Sequence, residues 1–236
     1  MPLERWLDDK VMQAIAAENN LSETAFTVPS DGEDADFELR WFTPTSEVEL
    51  CGHATLAAGH VLITGRPLRF ATKGGILTVS RRDDLLELDL PAAALKEVHE
   101  PELCRALGLP DGPVWLAEGC NDAAIIAVPH EEAVRDVHPD FAALAKIHRM
   151  AIVTAPGETE TIVSRVFVPY LGIDEDPVTG SAHAALVPYW AKRLGRSEFT
   201  AIQASARTGV LHCRLEGDRA ILGGRCHTVI VGQFQL

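Results

Sequence analysis

Apolar positions along the chain alternate between helical and strand spacing. Leu7, Val11, Met12, Ile15 and Ala16 share one helical face, which predicts a helix over residues 7–20. Asp8 and Asp9 suit its positive N-terminal end. Strands are predicted over 21–28 and 37–42, the second stopped by Thr43-Pro44. A helix over 52–63 ends at Gly65, with Pro67 beyond it. Residues 68–90 read as strands turning at Arg82-Asp83-Asp84. Pro91-Ala92-Ala93-Ala94 reads as a linker and places a domain boundary, giving lobes 1–92 and 93–236. The second half predicts helices over 101–107, 131–137, 139–147 and 181–194, the last ended by Gly195. Strands are expected over 114–117, 123–128, 151–154, 162–168, 199–203, 209–215 and 219–222, with 172–180 a loop. A last strand over 228–235 is expected to pack with the first lobe.

This order contains an internal repeat. Glu49 through Ala58 has a counterpart in Asp174 through Ala185, an alignment that puts Thr179 or Pro177, and no second thiol, opposite Cys51. Both are acidic, Gly-containing turns running into an Ala-rich helix. Trp41-Phe42-Thr43-Pro44 precedes the first and Val166-Phe167-Val168-Pro169 the second. Lys73-Gly74-Gly75 and Arg207-Thr208-Gly209 follow them, each leading into a strand pair. Two copies of one unit predict two like α+β lobes with an active site in the cleft between them. The helices carry Ala and Gly on all sides, as expected of central helices surrounded by strands.

Composition narrows the function. A 47% hydrophobic content supports real cores, and a net charge of −13 argues against nucleic acid. Cys51, Cys104, Cys120, Cys213 and Cys226 lack CxxC spacing, so neither a disulfide framework nor a structural zinc site is expected. No apolar run approaches the roughly 18 residues of a membrane helix, and no signal peptide is recognisable. A soluble cytoplasmic protein is expected.

The candidate chemistry collects where the repeated helices begin. Cys51, Gly52 and His53 open one; Thr179, Gly180 and Ser181 open the other, with Asp176 just before. Free amides at a helix start favour a small carboxylate. A helix N-terminus disfavours positive charge, so His53 is expected neutral, able to donate to an oxyanion or relay a proton. The same field stabilises a thiolate, which makes Cys51 a rival nucleophile or base. Ser181 also suits a plain N-cap, and Asp176 a turn. His53, His60 and His183 raise a metal, but no His-Glu-x-x-His spacing occurs and none is expected. Gly-x-Ser-x-Gly, Gly-x-Gly-x-x-Gly and Walker sequences are also missing.

Three stretches, Ala14 through Phe26, Arg40-Trp41-Phe42-Thr43-Pro44 with Glu47 through Leu56, and Gly172 through His183, resemble the phenazine-biosynthesis-like isomerase family on the diaminopimelate-epimerase fold. Gln203-Ala204-Ser205-Ala206-Arg207 is a weaker match. The resemblance implies two pseudo-symmetric lobes, each a barrel-like sheet around a helix, and cofactor-free proton transfer on a small carboxylic acid. It implies Glu23, within Ser22-Glu23-Thr24, as the acid/base. His53, Asp176 and Ser181 would join it, and a homodimer is expected. Family members begin with an extra strand and a Gly-Asn-Pro turn, whereas this chain opens at Met1-Pro2-Leu3-Glu4-Arg5-Trp6. The first lobe is therefore expected to lack one strand. Two alternatives stand beside this reading: an epimerase or racemase using Glu23 with Cys51, and a non-catalytic binding module of the same fold.

Overall fold

The computed structural model describes residues 1–119 and 122–235, so Cys120 lies outside the described residues. In chain order the first elements are α1 (Asp9–Asn19), β1 (Thr24–Pro29), β2 (Phe37–Phe42), β3 (Glu47–Val48), α2 (Gly52–Leu62), β4 (Leu68–Thr72), β5 (Gly75–Arg82) and β6 (Leu85–Pro91). They continue with β7 (Ala94–His99), α3 (Pro101–Ala106), β8 (Pro113–Glu118), β9 (Ala123–Ala127), α4 (Glu131–Arg135), α5 (Phe141–Leu144), β10 (Met150–Pro156) and β11 (Ile162–Val168). After a 3-10 turn over Pro169–Leu171 come β12 (Ile173–Glu175), α6 (Gly180–Leu194), β13 (Glu198–Gln203), β14 (Gly209–Glu216) and β15 (Arg219–Gly224). No helix among the described residues is long and apolar enough to cross a membrane.

Backbone contacts divide the chain into two compact units. One comprises Met1–Glu49, Ala54–Leu88 and Gly223–Leu236; the other comprises Leu50–His53 and Asp89–Leu222. The division is thus discontinuous in sequence, and the last residues cluster with the first.

In the first unit the strand order is β1-β2-β4-β5, with β3 added to β2. The β1–β2 and β4–β5 pairs are antiparallel and β2–β4 is parallel. Asp8 caps α1, its carboxylate accepting from the Lys10 amide. The helix buries Met12, Ile15 and Ala16 against Phe26 and Phe42. Asn20 ends it in the left-handed region, φ 48°, a conformation asparagine tolerates better than most residues. The strand begins at Thr24, so residues 21–23 form a turn where a strand was expected. Arg40 ties these elements together. Its guanidinium donates twice to Glu47, at 2.7 and 2.9 Å, and once to Asp9, at 2.9 Å. It also lies about 5 Å from the ring centres of Trp6 and Phe42. Lys73 adds a second cation to Glu47 at 2.6 Å. The helix α2 meets β5 at Gly59, where a Cβ would fall 2.6 Å from a Val79 methyl.

The first unit departs from expectation in two further places. Residues 228–235 form no strand; Val229, Ile230 and Val231 are exposed at 85–89%. The segment is tethered at its start by His60 and Thr228, 3.0 Å apart. β-branched residues supply propensity, but a strand exists only where a neighbour completes the ladder. The outer part of α2 is likewise open, with Ala57 exposed and Val61 at 63%, so this helix is not enclosed on all sides.

In the second unit the order is β14-β13-β11-β10-β9-β8-β7. β11 runs parallel to β13 and β10 parallel to β9; the other pairs are antiparallel. β7 was not expected. It pairs with β8 from Ala94↔Glu118 to His99↔Pro113, so the predicted linker is brief, Ala92 and Ala93. Leu103, Leu107, Val114, Ile126, Val134, Leu144, Val153 and Phe167 form this unit's core. Here α6 matches expectation: eleven of its fifteen residues are buried. Pro188 lies inside it and lacks the N–H that would bond the Ala184 carbonyl. Ala93 supplies the missing donor, its amide reaching that carbonyl at 3.3 Å.

Candidate active site

The second unit brings together seven of the eight sequence-derived site residues: Cys51, Gly52, His53, Asp176, Thr179, Gly180 and Ser181. The two helix starts touch at their glycines. A Cβ on Gly180 would lie 3.0 Å from the Gly52 Cα, so only glycine lets the backbones approach this closely. Thr179 is the N-cap of α6, with extended backbone at φ −110°, ψ 107°. Ser181 is therefore the second helical residue and not the N-cap. The first amides of α6 precede any intrahelical acceptor, and the same holds at the start of α2.

The turn from Asp176 to Thr179 is held at every carbonyl. Gln203 Nε2 donates to the Asp176 carbonyl at 2.6 Å and Ser205 Oγ to the Pro177 carbonyl at 2.8 Å. His53 Nδ1 lies 3.0 Å from the Val178 carbonyl, and His183 Nδ1 lies 2.8 Å from the Thr179 carbonyl. Asp176 is buried, and its carboxylate accepts from the Thr179 hydroxyl. Its own amide donates to Val166 at 3.0 Å.

A carbonyl can only accept, so His53 carries its proton on Nδ1. In the neutral ring Nε2 is then an acceptor. Donation from neutral His53 to an oxyanion needs the opposite tautomer. The Cys51 sulfur is almost equidistant from the two ring nitrogens, 3.8 and 3.7 Å, and so selects neither tautomer. Cys51 is buried and His53 half-buried.

His183 is fully buried. Burial pushes its pKa down to about 4, opposed by its hydrogen bond to the Thr179 carbonyl. Its other nitrogen faces the Ser164 hydroxyl at 3.5 Å. This histidine is committed to holding the helix start. His60 stands in the first unit beside Thr228.

The eighth residue, Glu23, belongs to the first unit. It is half-buried in the turn between the Asn20 cap and β1. Beside it Asn19 donates to the Thr24 hydroxyl at 3.1 Å.

The sequence motif that holds Gln203 and Ser205 matches only weakly and assigns them no chemistry. A signal was present. In β13 the inward positions alternate as Phe199, Ala201 and Gln203, and a glutamine on an inward face needs buried partners.

The α+β architecture defines a class of fold shared with solved racemases and epimerases. A probable proline racemase from Agrobacterium radiobacter superposes with a TM-score of 0.57 at 14% identity, covering 97% of this chain and 82% of its own. Nearer structures narrow the class. A phenazine biosynthesis protein of the PhzF family from Enterococcus faecalis gives a TM-score of 0.86 at 43% identity, over 95% of this chain and 86% of that one. An uncharacterised isomerase from Pseudomonas aeruginosa is 51% identical over 241 residues, 99% of this chain and 90% of the relative. Residues 1–232 match the family model described as phenazine biosynthesis-like protein. The chain belongs to the phenazine biosynthesis-like family, on a diaminopimelate-epimerase-like fold.

Proposed function

We propose that this protein is a cofactor-independent isomerase that moves a proton on a small carboxylic acid. The observation that carries the reading is the meeting of Gly52 and Gly180, which gathers His53, Asp176 and Ser181 around two helix starts. The early amides of those helices supply donors suited to a substrate carboxylate. Names among the relatives add support, since several are isomerases and the wider fold includes racemases.

In this reading Glu23 takes a proton from a carbon next to an unsaturated or carbonyl group and returns it elsewhere. A base that works on carbon gains from partial burial, which brings its pKa towards working pH. His53 accepts or relays a proton at Nε2, Ser181 holds the substrate, and Asp176 orients the turn that carries the Val178 carbonyl. Substrates of the dihydro-hydroxybenzoate or dihydro-aminobenzoate type carry both the carboxylate and an acidic ring C–H, whereas the fully aromatic hydroxy- and aminobenzoates serve as binding probes only.

The test is solvent deuterium incorporation into candidate acids, read by mass spectrometry with Glu23→Gln as the comparison. Incorporation by the native protein should vanish in the variant, while a benzoate-induced thermal shift persists with affinity within about tenfold. A variant that still exchanges at the native rate removes Glu23 from the mechanism. A second reading, epimerisation with Cys51 as a base, draws on the contact between Cys51 and His53.

A further inference from the structure

Gln203 has no part in the proton transfer just described, yet it is fully buried and makes three hydrogen bonds to one turn. Its Oε1 accepts from the Thr179 amide at 2.7 Å. Its Nε2 donates to the Asp176 carbonyl at 2.6 Å and to the Thr179 hydroxyl at 3.1 Å. The amide orientation follows from these partners. A flipped side chain would aim its NH2 at the Thr179 N–H and its oxygen at a carbonyl. The Thr179 hydroxyl hands its own proton to Asp176, so it is free to accept from Gln203.

Gln203 stands on a rigid support. It lies in β13, a strand paired on both edges, opposite Gly209 on one side and Ser164 on the other. Ser205 continues the grip, bonding the Pro177 carbonyl while its oxygen also accepts from the Thr208 amide at 3.1 Å. Thr208 has φ 59°, an uncommon conformation for a β-branched residue, so this loop is held in shape against its local preference. Across the turn, a Cβ on Gly209 would fall 2.4 Å from a Val178 methyl, so glycine makes room for the Val178 side chain.

The peptides on both sides of Val178 are therefore clamped. The Pro177 carbonyl is bound to Ser205 and the Thr179 amide to Gln203. With its neighbours fixed, the Val178 carbonyl has little freedom to rotate, and it faces His53 Nδ1.

We propose that Gln203 is a positioning residue: by fixing the Asp176–Thr179 turn it aims the Val178 carbonyl at His53 and holds the imidazole as the Nδ1–H tautomer, with Nε2 as the proton acceptor. Its place in turnover rests on the isomerase reading, but the tautomer is a property of the ligand-free protein and is measured without substrate.

The experiment is long-range proton–nitrogen correlation NMR on protein labelled with 15N-histidine at neutral pH, with the His53 signals assigned by their loss in His53→Asn. The native protein should show His53 with a protonated Nδ1 and a bare Nε2. In Gln203→Ala the ratio of Nδ1–H to Nε2–H should fall roughly fivefold, the equivalent of one ordinary hydrogen bond. Gln203→Glu keeps the shape and the acceptor for Thr179 but loses both donors, and should fall in the same direction. A Nε2–H tautomer in the native protein overturns the proposal whatever the variants do. So does an unchanged His53 pattern in folded Gln203→Ala or Gln203→Glu. If Gln203→Ala does not fold, the isosteric Gln203→Glu and the native spectrum decide. Failure here leaves the deuterium test of Glu23 standing, and failure there leaves the tautomer result untouched.

Discussion

Replacing Glu47 by glutamine should weaken the protein at neutral pH and leave it almost unaffected in acid. The Arg40 guanidinium, hydrogen-bonded twice to Glu47, and then Lys73 hold its carboxyl down at about 2, against an ordinary 4.5. A group depressed on folding contributes stability that is fully present above its unfolded value and is lost as pH falls through its folded value. At about 1.4 kcal/mol per pH unit, the upper bound is about 3.5 kcal/mol. The Glu47 and Arg40 side chains are 20% and 19% exposed, so solvent screening reduces this to about 1–2 kcal/mol. Urea unfolding of native protein and Glu47→Gln at pH 7, 5, 4, 3 and 2 measures it. The difference between the two should be level from pH 7 to 5, about half gone near pH 3, and small at pH 2. Other carboxylates titrate in both proteins and cancel. A difference that stays constant from pH 7 to pH 2 would mean that packing or side-chain shape, not the ion pair, explains the loss, and the electrostatic argument would be refuted.

Three further outcomes are expected. Gly180→Ala, whose Cβ would press on the Gly52 Cα at 3.0 Å, should cost about 1–2 kcal/mol, overpacking outweighing the gain in helix propensity, and should slow deuterium transfer about tenfold; calorimetry and mass spectrometry measure the two. Cys51→Ala should cost less than about tenfold in transfer rate, because the repeat places Thr179 or Pro177 opposite it and not a second thiol; an inactive variant would favour the epimerase reading. His183, buried with its pKa lowered to about 4 by desolvation, makes the unfolded chain the better proton binder between pH 4 and 6.5. Stability should therefore rise with pH across that window, by at most about 3 kcal/mol, and urea titrations of His183→Asn should lack the slope.

The sequence made the helices with a clear apolar face legible, and so too the paired Gly-containing helix starts. What it concealed had physical causes. β7 presents Lys96 and Glu97 among Leu95 and Val98 at the end of the strand order, and an edge strand with one half-covered face carries little periodic signal. Residues 228–235 gave the opposite error: Val229-Ile230-Val231 has strand propensity, but a ladder is a property of two strands. At the site, His53 and Asp176 were visible as residue types in a motif. The tautomer of His53 was not, because it depends on the Val178 carbonyl, 125 positions away in the chain. Ser181 has the residue type of a cap, but low helix propensity at Gly180 hides that the helix already starts there, which moves the cap to Thr179.

The contrast between the two repeated helices has a kinetic consequence. The enclosed α6, with Tyr189 and Trp190 packed edge-to-face and the indole bonded to Thr154 at 3.0 Å, can release its amide protons only when the surrounding sheet comes apart. The later turns of α2, with Ala57 and Val61 facing solvent, can open by local fraying. In deuterated water the two copies of the repeated pattern should separate by orders of magnitude in exchange rate: α6 among the slowest amides of the molecule, and the end of α2 among the faster helical ones. Sequence symmetry should then not carry over into symmetry of motion, with the helix start bearing Cys51 and His53 on the more yielding of the two helices.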